Sequence, residues 1–279
     1  MIQDALRRPG AAPHLSDREV ITLALYQELI GEPREDHFFR LHQASLQTFF
    51  PGRNERSRYN RRKRDVWAAI LAVRVSLQIV LDAFELEETA VIDSAPLPCV
   101  SYQRGKQSSD FVGTADYGVC SSKAMKSFGC KLHTVVSLTG LIMGFLLTPA
   151  SRYDNQPMVE LLDSFAHHLH RLLGDGAYND AALESYLQQY RSLRLLSPAK
   201  SHQTPKRSPS AQKQINRLRL MCETVTAQLQ EQWHVSKHSA KSTWGLLTRI
   251  AAKVTAHSVA MMVNTLLGRP ALKLADLAV

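Results

Sequence analysis

Cysteine is sparse in this sequence, and the few cysteines that occur form no recognisable ligand pattern. They are Cys99, Cys120, Cys130 and Cys222. None belongs to a CxxC pair, and their spacing suits neither a zinc knuckle nor the disulfide framework of a small secreted domain. We therefore expect free thiols in a reducing compartment.

Long hydrophobic runs are also missing. The most apolar stretches are residues 66–81, which Arg74 interrupts, and residues 141–147, which are too short to cross a bilayer. No apolar run follows the basic residues at the start of the sequence, so no signal segment is indicated. The sequence therefore predicts a cytoplasmic protein that makes no membrane contact.

Acidic residues are in deficit. The 279 residues include 34 Lys and Arg against 25 Asp and Glu, which gives a formal net charge of +9 at pH 7. An excess of this size indicates an anionic partner, and nucleic acid is the usual one for a basic protein of this length. The hydrophobic fraction of 44% is high enough for one large core or two smaller ones, so disorder is not expected.

The segment up to residue 88 has the pattern of a helical region. Ser16 is a predicted N-cap, and Glu19 lies at the position that completes a capping box before the apolar series that starts at Val20. We interpret residues 1–88 as a helical DNA-binding region because they also contain the densest cluster of positive charge in the chain.

That cluster is the basic run of residues 53–64. Its seven cationic residues are Arg53, Arg56, Arg58, Arg61, Arg62, Lys63 and Arg64, and Tyr59 and Asn60 stand between them. Cations interleaved with stacking and hydrogen-bonding groups are typical of a surface that contacts nucleic acid. The alternative is a solvated helix face whose charges simply point outward.

From residue 89 onward the pattern changes to short β-type runs. Residues 89–93 have the composition of a buried strand. Residues 130–138 and 141–148, separated by a glycine turn, have the pattern of a hairpin.

Beyond the hairpin, strand patterns alternate with helical ones, and a long helical pattern covers residues 211–233. This order predicts an α/β domain over residues 89–279, with a mixed sheet flanked by helices. Further helices are expected at the C-terminal end of that domain.

Three acidic residues occupy positions that an oxygen-ligand metal site would use. Asp93 ends a buried-type strand, Asp175 follows a second one, and Glu223 lies within the long helix. Each has an ordinary alternative, since the two aspartates are also turn formers and a helical glutamate usually faces solvent. Strand ends at one edge of a sheet can meet, however, and clustered carboxylates need a cation. Oxygen ligands with open positions suit Mg²⁺ or Mn²⁺, and two such ions could activate an attacking oxygen and stabilise a leaving one.

The helix that carries Glu223 has an apolar stripe and a polar face. Leu218, Cys222 and Val225 belong to the stripe, so Glu223 can face a cleft. Arg219, one turn earlier, could hold a DNA phosphate or orient the Glu223 carboxylate. An ion pair within the helix is the ordinary explanation of the same spacing.

Two further polar residues have structural interpretations. Asp154, close to Pro157, is interpreted as the N-cap of an amphipathic helix over residues 157–170. His133, in the first strand of the hairpin, is interpreted as a satisfied core histidine. Neither is assigned to the metal site.

Several short motifs together resemble a known family. They are Ile92-Asp93-Ser94, Gly129-Cys130-Lys131-Leu132-His133, Thr148-Pro149-Ala150, Gly174-Asp175-Gly176-Ala177-Tyr178 and Glu223-Thr224-Val225. In this order they are similar to the motifs of DDE-type bacterial insertion-sequence transposases, and the similarity is greatest to the insertion sequence 982 family. It extends to residues 15–22 and 57–62 in front and to residues 244–253 behind, so it covers nearly the whole chain.

The resemblance implies an RNase H-like catalytic domain in which Asp93, Asp175 and Glu223 form the DDE triad on two Mg²⁺ ions, for which Mn²⁺ can substitute. The implied reaction cleaves a phosphodiester at the end of an insertion sequence and joins the 3′-hydroxyl to target DNA. The implied partners are double-stranded DNA, in the form of terminal inverted repeats and target DNA, and further copies of the chain assembled on it. Asn216 and Gln230 stand where related transposases often carry a Tyr and a Lys.

Two other functions stay open at this point. An enzyme with the same fold could hydrolyse DNA without joining the ends, and a transposase relic could bind DNA without cutting it. A strand-transfer assay distinguishes the first alternative, and metal-dependent cleavage excludes the second.

Overall fold

The computed structural model describes residues 13–52, 55–82, 88–107, 109–120, 125–163, 169–200, 203–204 and 207–274. The chain folds into two compact units. Residues 1–77 and 229–279 form one, which we call the helical unit, and residues 78–228 form the other, the sheet unit. The sequence predicted one division at residue 88, with the C-terminal helices on the catalytic side. The structure instead places residues 229–279 in the same unit as the N-terminal helices.

The N-terminal part of the helical unit consists of short helices and one longer one. They are α1 (Asp17–Leu29), α2 (Glu35–Leu41), α3 (Gln43–Phe49), α4 (Arg56–Asp65) and α5 (Trp67–Asp82). The predicted capping box at the start of α1 is confirmed, since the Ser16 side chain accepts the Glu19 N–H and the Glu19 carboxylate accepts the Ser16 N–H at 2.7 Å. This local pattern fixes where α1 begins.

The C-terminal helix α9 (Thr243–Leu266) completes the core of the helical unit, where it packs against α1 and α4. By length and composition it could cross a membrane, but 72% of its apolar window is buried inside the protein. Lys253, in the middle of α9, is buried and its ammonium group lies 2.6 Å from the Glu28 carboxylate of α1. The helix therefore serves as a core element of this unit, and its charged residue is neutralised there.

In the sheet unit, six strands of the described residues form one mixed sheet. They are β1 (Thr89–Val100), β2 (Asp116–Cys120), β3 (Met125–Ser137), β4 (Ile142–Pro149), β5 (Arg171–Leu173) and β6 (Arg194–Leu196). The order is β2-β3-β1-β5-β6, with β4 also paired to β3. Strand β1 is antiparallel to β3 and parallel to β5, and β5 is parallel to β6. The predicted α/β architecture with a mixed sheet is confirmed.

The predicted hairpin is formed by β3 and β4, which pair from Cys130 opposite Pro149 to Val136 opposite Ile142. Gly140 in its turn has φ 94°, a conformation that glycine adopts without steric cost. Strand β1 runs past Asp93 to Val100, further than predicted, because β3 pairs with it as far as Val100, whereas β5 pairs with it only as far as Val91. The outer part of β1 therefore keeps β3 on one side and has no β5 partner on the other, and strands with one open edge tolerate proline.

Helices flank the sheet as predicted. They are α6 (Met158–Leu162), α7 (Ala181–Arg191) and α8 (Pro209–Glu231). Helix α6 is shorter than the predicted residues 157–170, of which residues 164–168 lie outside the described residues. The core beneath these helices includes Ile92 of β1, Leu172 of β5 and Leu187 of α7, all buried. It holds β1 and β5 in the parallel register that positions the site described next.

Candidate functional site

Asp93 and Asp175 lie at the same edge of the sheet. The last parallel pair of β1 and β5 is Val91 opposite Leu173, and each aspartate stands two residues beyond its member of that pair. Parallel strands end at one edge, so this common offset brings the two carboxylates together. They are close enough for the Asp175 charge to act on the titration of Asp93.

The environment of Asp93 disfavours its charged form. Burial raises the pKa of Asp93 to about 6, and the Asp175 and Asp154 charges act in the same direction. The Ser94 N–H, which donates to Asp93 Oδ1 at 2.8 Å, and the Arg219 guanidinium oppose this rise only in part. The charge of this half-buried carboxylate is thus only partly balanced, and a bound cation would supply the remaining positive charge.

Asp175 is held by the turn that follows β5. Its Oδ1 accepts the Ala177 N–H at 2.9 Å and caps the short 3₁₀ helix Gly176–Tyr178. A side chain on Gly174 would come within 2.9 Å of the Tyr178 ring, so the glycine allows the close packing of this turn. The turn-forming role of Asp175 and its position beside Asp93 are therefore compatible.

Glu223 is placed differently from the two aspartates. Its neighbour Cys222 is buried, and the Cys222 Sγ lies 3.8 Å from Oγ1 of Thr134, the residue opposite Asp93 on β3. Helix α8 thus crosses the sheet beside Asp93, but the Glu223 side chain is exposed. Among the described residues, no group of three or more His, Cys, Asp or Glu side chains is placed to hold a metal ion. The structure brings two of the three predicted carboxylates together and leaves the third on the adjoining helix.

Arg219, one turn before Glu223 on α8, lies close enough to Asp93 to influence its titration. Its charge acts on Asp93. Its Nε is buried and has no hydrogen-bond partner within the described part of the chain. This cation is therefore near the carboxylates without being fixed by a hydrogen bond through Nε.

A group of polar residues that was not predicted to belong to the site surrounds Asp154, whose charge acts on Asp93. Lys131 Nζ lies 2.9 Å from Asp154 Oδ1 and donates to the Arg152 carbonyl at 2.9 Å, while Ser94 Oγ donates to Asp154 Oδ1 at 3.0 Å. The predicted N-cap role of Asp154 is wrong, because α6 begins at Met158 and its N-cap position is occupied by Pro157. The signal that could have found this cluster is the occurrence of Ser94 and Lys131 inside the family motifs.

His133 is a core residue, as predicted, although its Nδ1 has no hydrogen-bond partner among the described residues. It is fully buried on β3, and its Nε2 lies 2.9 Å from Thr148 Oγ1 of β4. Burial lowers the pKa of His133 to about 4, so the ring is neutral at pH 7. The hydrogen bond between His133 and the Thr148 hydroxyl joins β3 to β4, the hairpin that also carries Lys131.

The basic run has an outward and an inward side. Arg56, Arg58 and Arg61 of α4 are exposed. Arg62 forms an ion pair with Asp17, and Lys63 is 1% exposed with its ammonium group 2.6 Å from the Glu35 carboxylate. Arg64 is half-buried, and Arg53 lies outside the described residues. The exposed arginines are available to a partner, whereas Arg62 and Lys63 are paired within the protein.

Two aspartates lie at one edge of the sheet, and the pKa of one of them, Asp93, is raised. This arrangement is typical of the class of metal-dependent enzymes. The family model described as Transposase DDE domain matches residues 85–259 of this chain. The match covers more than half of the sequence and includes Asp93, Asp175 and Glu223, and the chain belongs to this transposase family. No curated protein and no solved structure matches the chain.

Membership of this family assigns the chain to DNA transposition and recombination. Members of the family generally use divalent metal ions and act on DNA. The oxygen donors and the charge deficit at Asp93 and Asp175 are of the kind that such an ion requires. The residues present therefore fit a divalent cation at this edge of the sheet.

Proposed function

We propose that this protein is a transposase that cleaves phosphodiesters at the ends of an insertion sequence and joins the 3′-hydroxyl to target DNA. The observation that carries the proposal is the pair Asp93 and Asp175 beyond the parallel strands, with the pKa of Asp93 raised to about 6 by burial and like charge. We further propose an RNase H-like catalytic domain and membership of the insertion sequence 982 group.

Asp93, Asp175 and Glu223 are the proposed metal ligands, with two Mg²⁺ ions that Mn²⁺ replaces. When bound, such ions activate the attacking oxygen and stabilise the leaving oxygen of the phosphodiester. Glu223 is exposed on α8, one turn from Arg219. Its free side chain is the ligand that has to turn toward the aspartates when the site is loaded.

The protein side chains position the substrate. Arg219 acts on Asp93 through its charge, and its buried Nε has no hydrogen-bond partner within the described residues, so we assign it to a phosphate beside the aspartates. Lys131 holds Asp154 at 2.9 Å and so limits the negative charge that faces Asp93. Both residues lie in the sheet unit with the triad.

The proposed partners are double-stranded DNA, as terminal inverted repeats and as target, and other copies of the chain on that DNA. The exposed residues Arg56, Arg58 and Arg61 of α4, with the neighbouring Arg64, are the proposed DNA contacts of the helical unit. We propose a cytoplasmic, bacterial protein that associates with the nucleoid when bound to DNA.

The test is a cleavage and strand-transfer assay on DNA that carries the inverted repeats flanking the gene, with Mg²⁺ and a target plasmid. We expect cut ends and joined products with the wild-type protein, and neither with Asp175→Asn. The matched control is Asp163→Asn, which alters an exposed aspartate of the same unit. Cleavage without joining would identify a nuclease, and binding without cleavage would identify an inactive relic.

A further inference from the structure

The helical unit contains a basic cavity that the proposed catalytic chemistry does not use. Its volume is about 550 Å³, within the range of ligand pockets in proteins. Residues of α4 line one side, and the segment before α9 with the first turns of that helix lines the other. Its cationic lining residues are Arg56, Arg61, Lys63, Arg64, Lys241 and Arg249.

One buried carboxylate fixes part of this lining. Glu35, 3% exposed, lies 2.6 Å from Lys63 Nζ and 3.6 Å from Arg249, and its Oε2 accepts a hydrogen bond from Asn60 at 2.7 Å. Burial alone would raise the pKa of Glu35, but the Lys63 and Arg249 charges outweigh it and leave that pKa below its ordinary value. The carboxylate is therefore ionised and holds three lining side chains in place.

The other cations of the cavity have no such partner within the described parts of the chain. No carboxylate in the described ranges forms an ion pair with Arg56, Arg61 or Lys241, all of which are exposed. Arg64 Nε is buried and makes no hydrogen bond to any described residue. The N-terminus of α9 adds its positive dipole end, with Ser242 at the cap. The cavity thus has an excess of positive charge directed into a concave surface, which favours a phosphate ligand.

An aromatic residue stands beside the cavity. Trp244 lies in the first turn of α9, between the lining residues Ser242 and Gly245. Its indole N–H donates to the Arg64 carbonyl at 3.0 Å, and 55% of the residue is nonetheless exposed. The hydrogen bond anchors the ring to the cavity wall and leaves open a surface on which a base can stack.

We propose that the basic cavity binds the phosphodiester backbone of a DNA strand and that Trp244 stacks on an unpaired base next to it. The inference rests on the proposed action on DNA and names a contact of that function. An unpaired base is required because the faces of bases within a duplex are covered by their neighbours. Free phosphate or a mononucleotide shares part of this chemistry, so the test has to compare them with a strand.

The experiment titrates the protein with single-stranded oligothymidylate of about ten nucleotides, the length of a typical single-strand site. Trp244 fluorescence is followed in a Trp67→Phe/Trp233→Phe background, and anisotropy of the labelled oligonucleotide reports the same binding with otherwise unchanged protein. We expect saturable quenching and about tenfold weaker binding for Trp244→Ala. Trp244→Phe keeps a stacking ring and should retain most of the affinity.

A second part of the experiment removes positive charge from the cavity. Arg61→Ala/Lys241→Ala should weaken binding and lower the salt slope of log K by about 0.7 for each lost phosphate contact on a single strand. The control Arg171→Ala/Arg194→Ala removes the same charge from exposed positions of the sheet unit and should leave both quantities unchanged. Equal losses in the two double variants would overturn the proposal, as would equally tight binding of thymidine monophosphate or inorganic phosphate.

The cleavage assay of the preceding section separates this inference from the proposed function. If the wild-type protein cleaves end DNA and Trp244→Ala binds the oligonucleotide as tightly as the wild type, the cavity contact is refuted and the catalytic proposal stands. If the wild-type protein binds the oligonucleotide through Trp244 but cleaves no DNA, the catalytic proposal is refuted and the proposed DNA contact at the basic cavity is supported.

Discussion

Carboxylates that are at least partly buried have opposite charge surroundings in the helical unit and in the sheet unit. In the helical unit, Glu35 lies against Lys63 and Arg249, and Glu28 lies 2.6 Å from the buried ammonium group of Lys253. In the sheet unit, Asp93 has another carboxylate, Asp175, as its neighbour. The charges of Glu35 and Glu28 are balanced by cations of the chain, whereas the charge of Asp93 is only partly offset by Arg219.

The pKa values of Glu35 and Asp93 are shifted in opposite directions as a result. The pKa of Glu35 lies below its ordinary value, although burial opposes this, because two cations of the chain face it. The pKa of Asp93 is raised to about 6, because burial and the Asp175 charge are only partly offset by the Ser94 N–H and Arg219. The neighbouring charges therefore decide whether the pKa of each carboxylate falls or rises.

The largest expected effect is the loss of DNA cleavage when one of the proposed metal ligands loses its negative charge. Asp93→Asn, Asp175→Asn and Glu223→Gln should each lower the rate of DNA cleavage about a thousandfold or more, since a bound divalent ion stabilises the transition state by several kcal/mol. DNA binding should be largely retained, because each change alters one charge and little volume. Rates are measured on end-containing DNA with Mg²⁺.

Glu231→Gln is the matched control for Glu223→Gln, since both glutamates are exposed and lie on α8. It should cleave DNA at the wild-type rate. Near wild-type cleavage by any one of the three site variants would remove that residue from the triad.

The second effect is on the stability of the helical unit. Glu35→Gln leaves Lys63 buried without its counter-charge, so we expect a loss of about 3 kcal/mol in the free energy of unfolding, as for other broken buried ion pairs. Urea denaturation at pH 7 measures it. Glu55→Gln, at an exposed position whose side chain makes no capping bond, should have little effect. A loss as small in Glu35→Gln as in Glu55→Gln would show that Glu35 does not balance these cations.

The third effect is a pH-dependent gain in stability of the sheet unit. Because the folded pKa of Asp93, about 6, lies above its ordinary value of 3.8, its contribution to stability is fully present below pH 3.8 and is lost as the pH rises through 6. In metal-free buffer, Asp93→Asn should therefore be more stable than the wild type by about 3 kcal/mol at pH 8. The difference should vanish near pH 4. Thermal or urea unfolding across this range measures it, and a constant difference would contradict the raised pKa.

The smallest effect concerns the two sides of the basic run. Arg61 is exposed and Arg62 is paired with Asp17, so Arg61→Ala should lower the salt slope of log K on duplex DNA by about 0.9 and Arg62→Ala should lower it less. Binding to end-containing and random duplexes across a salt series measures both slopes. Unchanged affinity and slope for Arg61→Ala on both duplexes would assign the exposed arginines to solvent and direct attention to Lys237.

Local patterns were enough to predict several elements. The Ser16 capping box, the β3–β4 hairpin and the strand that contains Asp93 are determined by residues close together in sequence. The extension of β1 beyond residues 89–93 was not predicted, because it depends on pairing with the distant strand β3, which continues past Pro96 and Pro98. Predictions failed where the deciding neighbour was distant along the chain.

The candidate site shows the same limit. The sequence nominated Asp93 and Asp175, and their shared offset from the Val91–Leu173 pair became visible only with the register. The bond from Lys131 to Asp154 joins two elements 23 residues apart, and no periodicity indicates it. Likewise, the inward pairing of Lys63 depends on Glu35, which belongs to a different helix.

The ion pair between Glu28 and Lys253 joins residues 225 positions apart. During synthesis from the N-terminus, residues 78–228 leave the ribosome as one continuous segment, so the sheet unit can fold while the end of the chain is still being made. The N-terminal helices, by contrast, must wait for α9 before Glu28 meets its counter-charge. The basic cavity, which needs both α4 and α9, therefore exists only in the finished chain, after the candidate catalytic sheet is already in place.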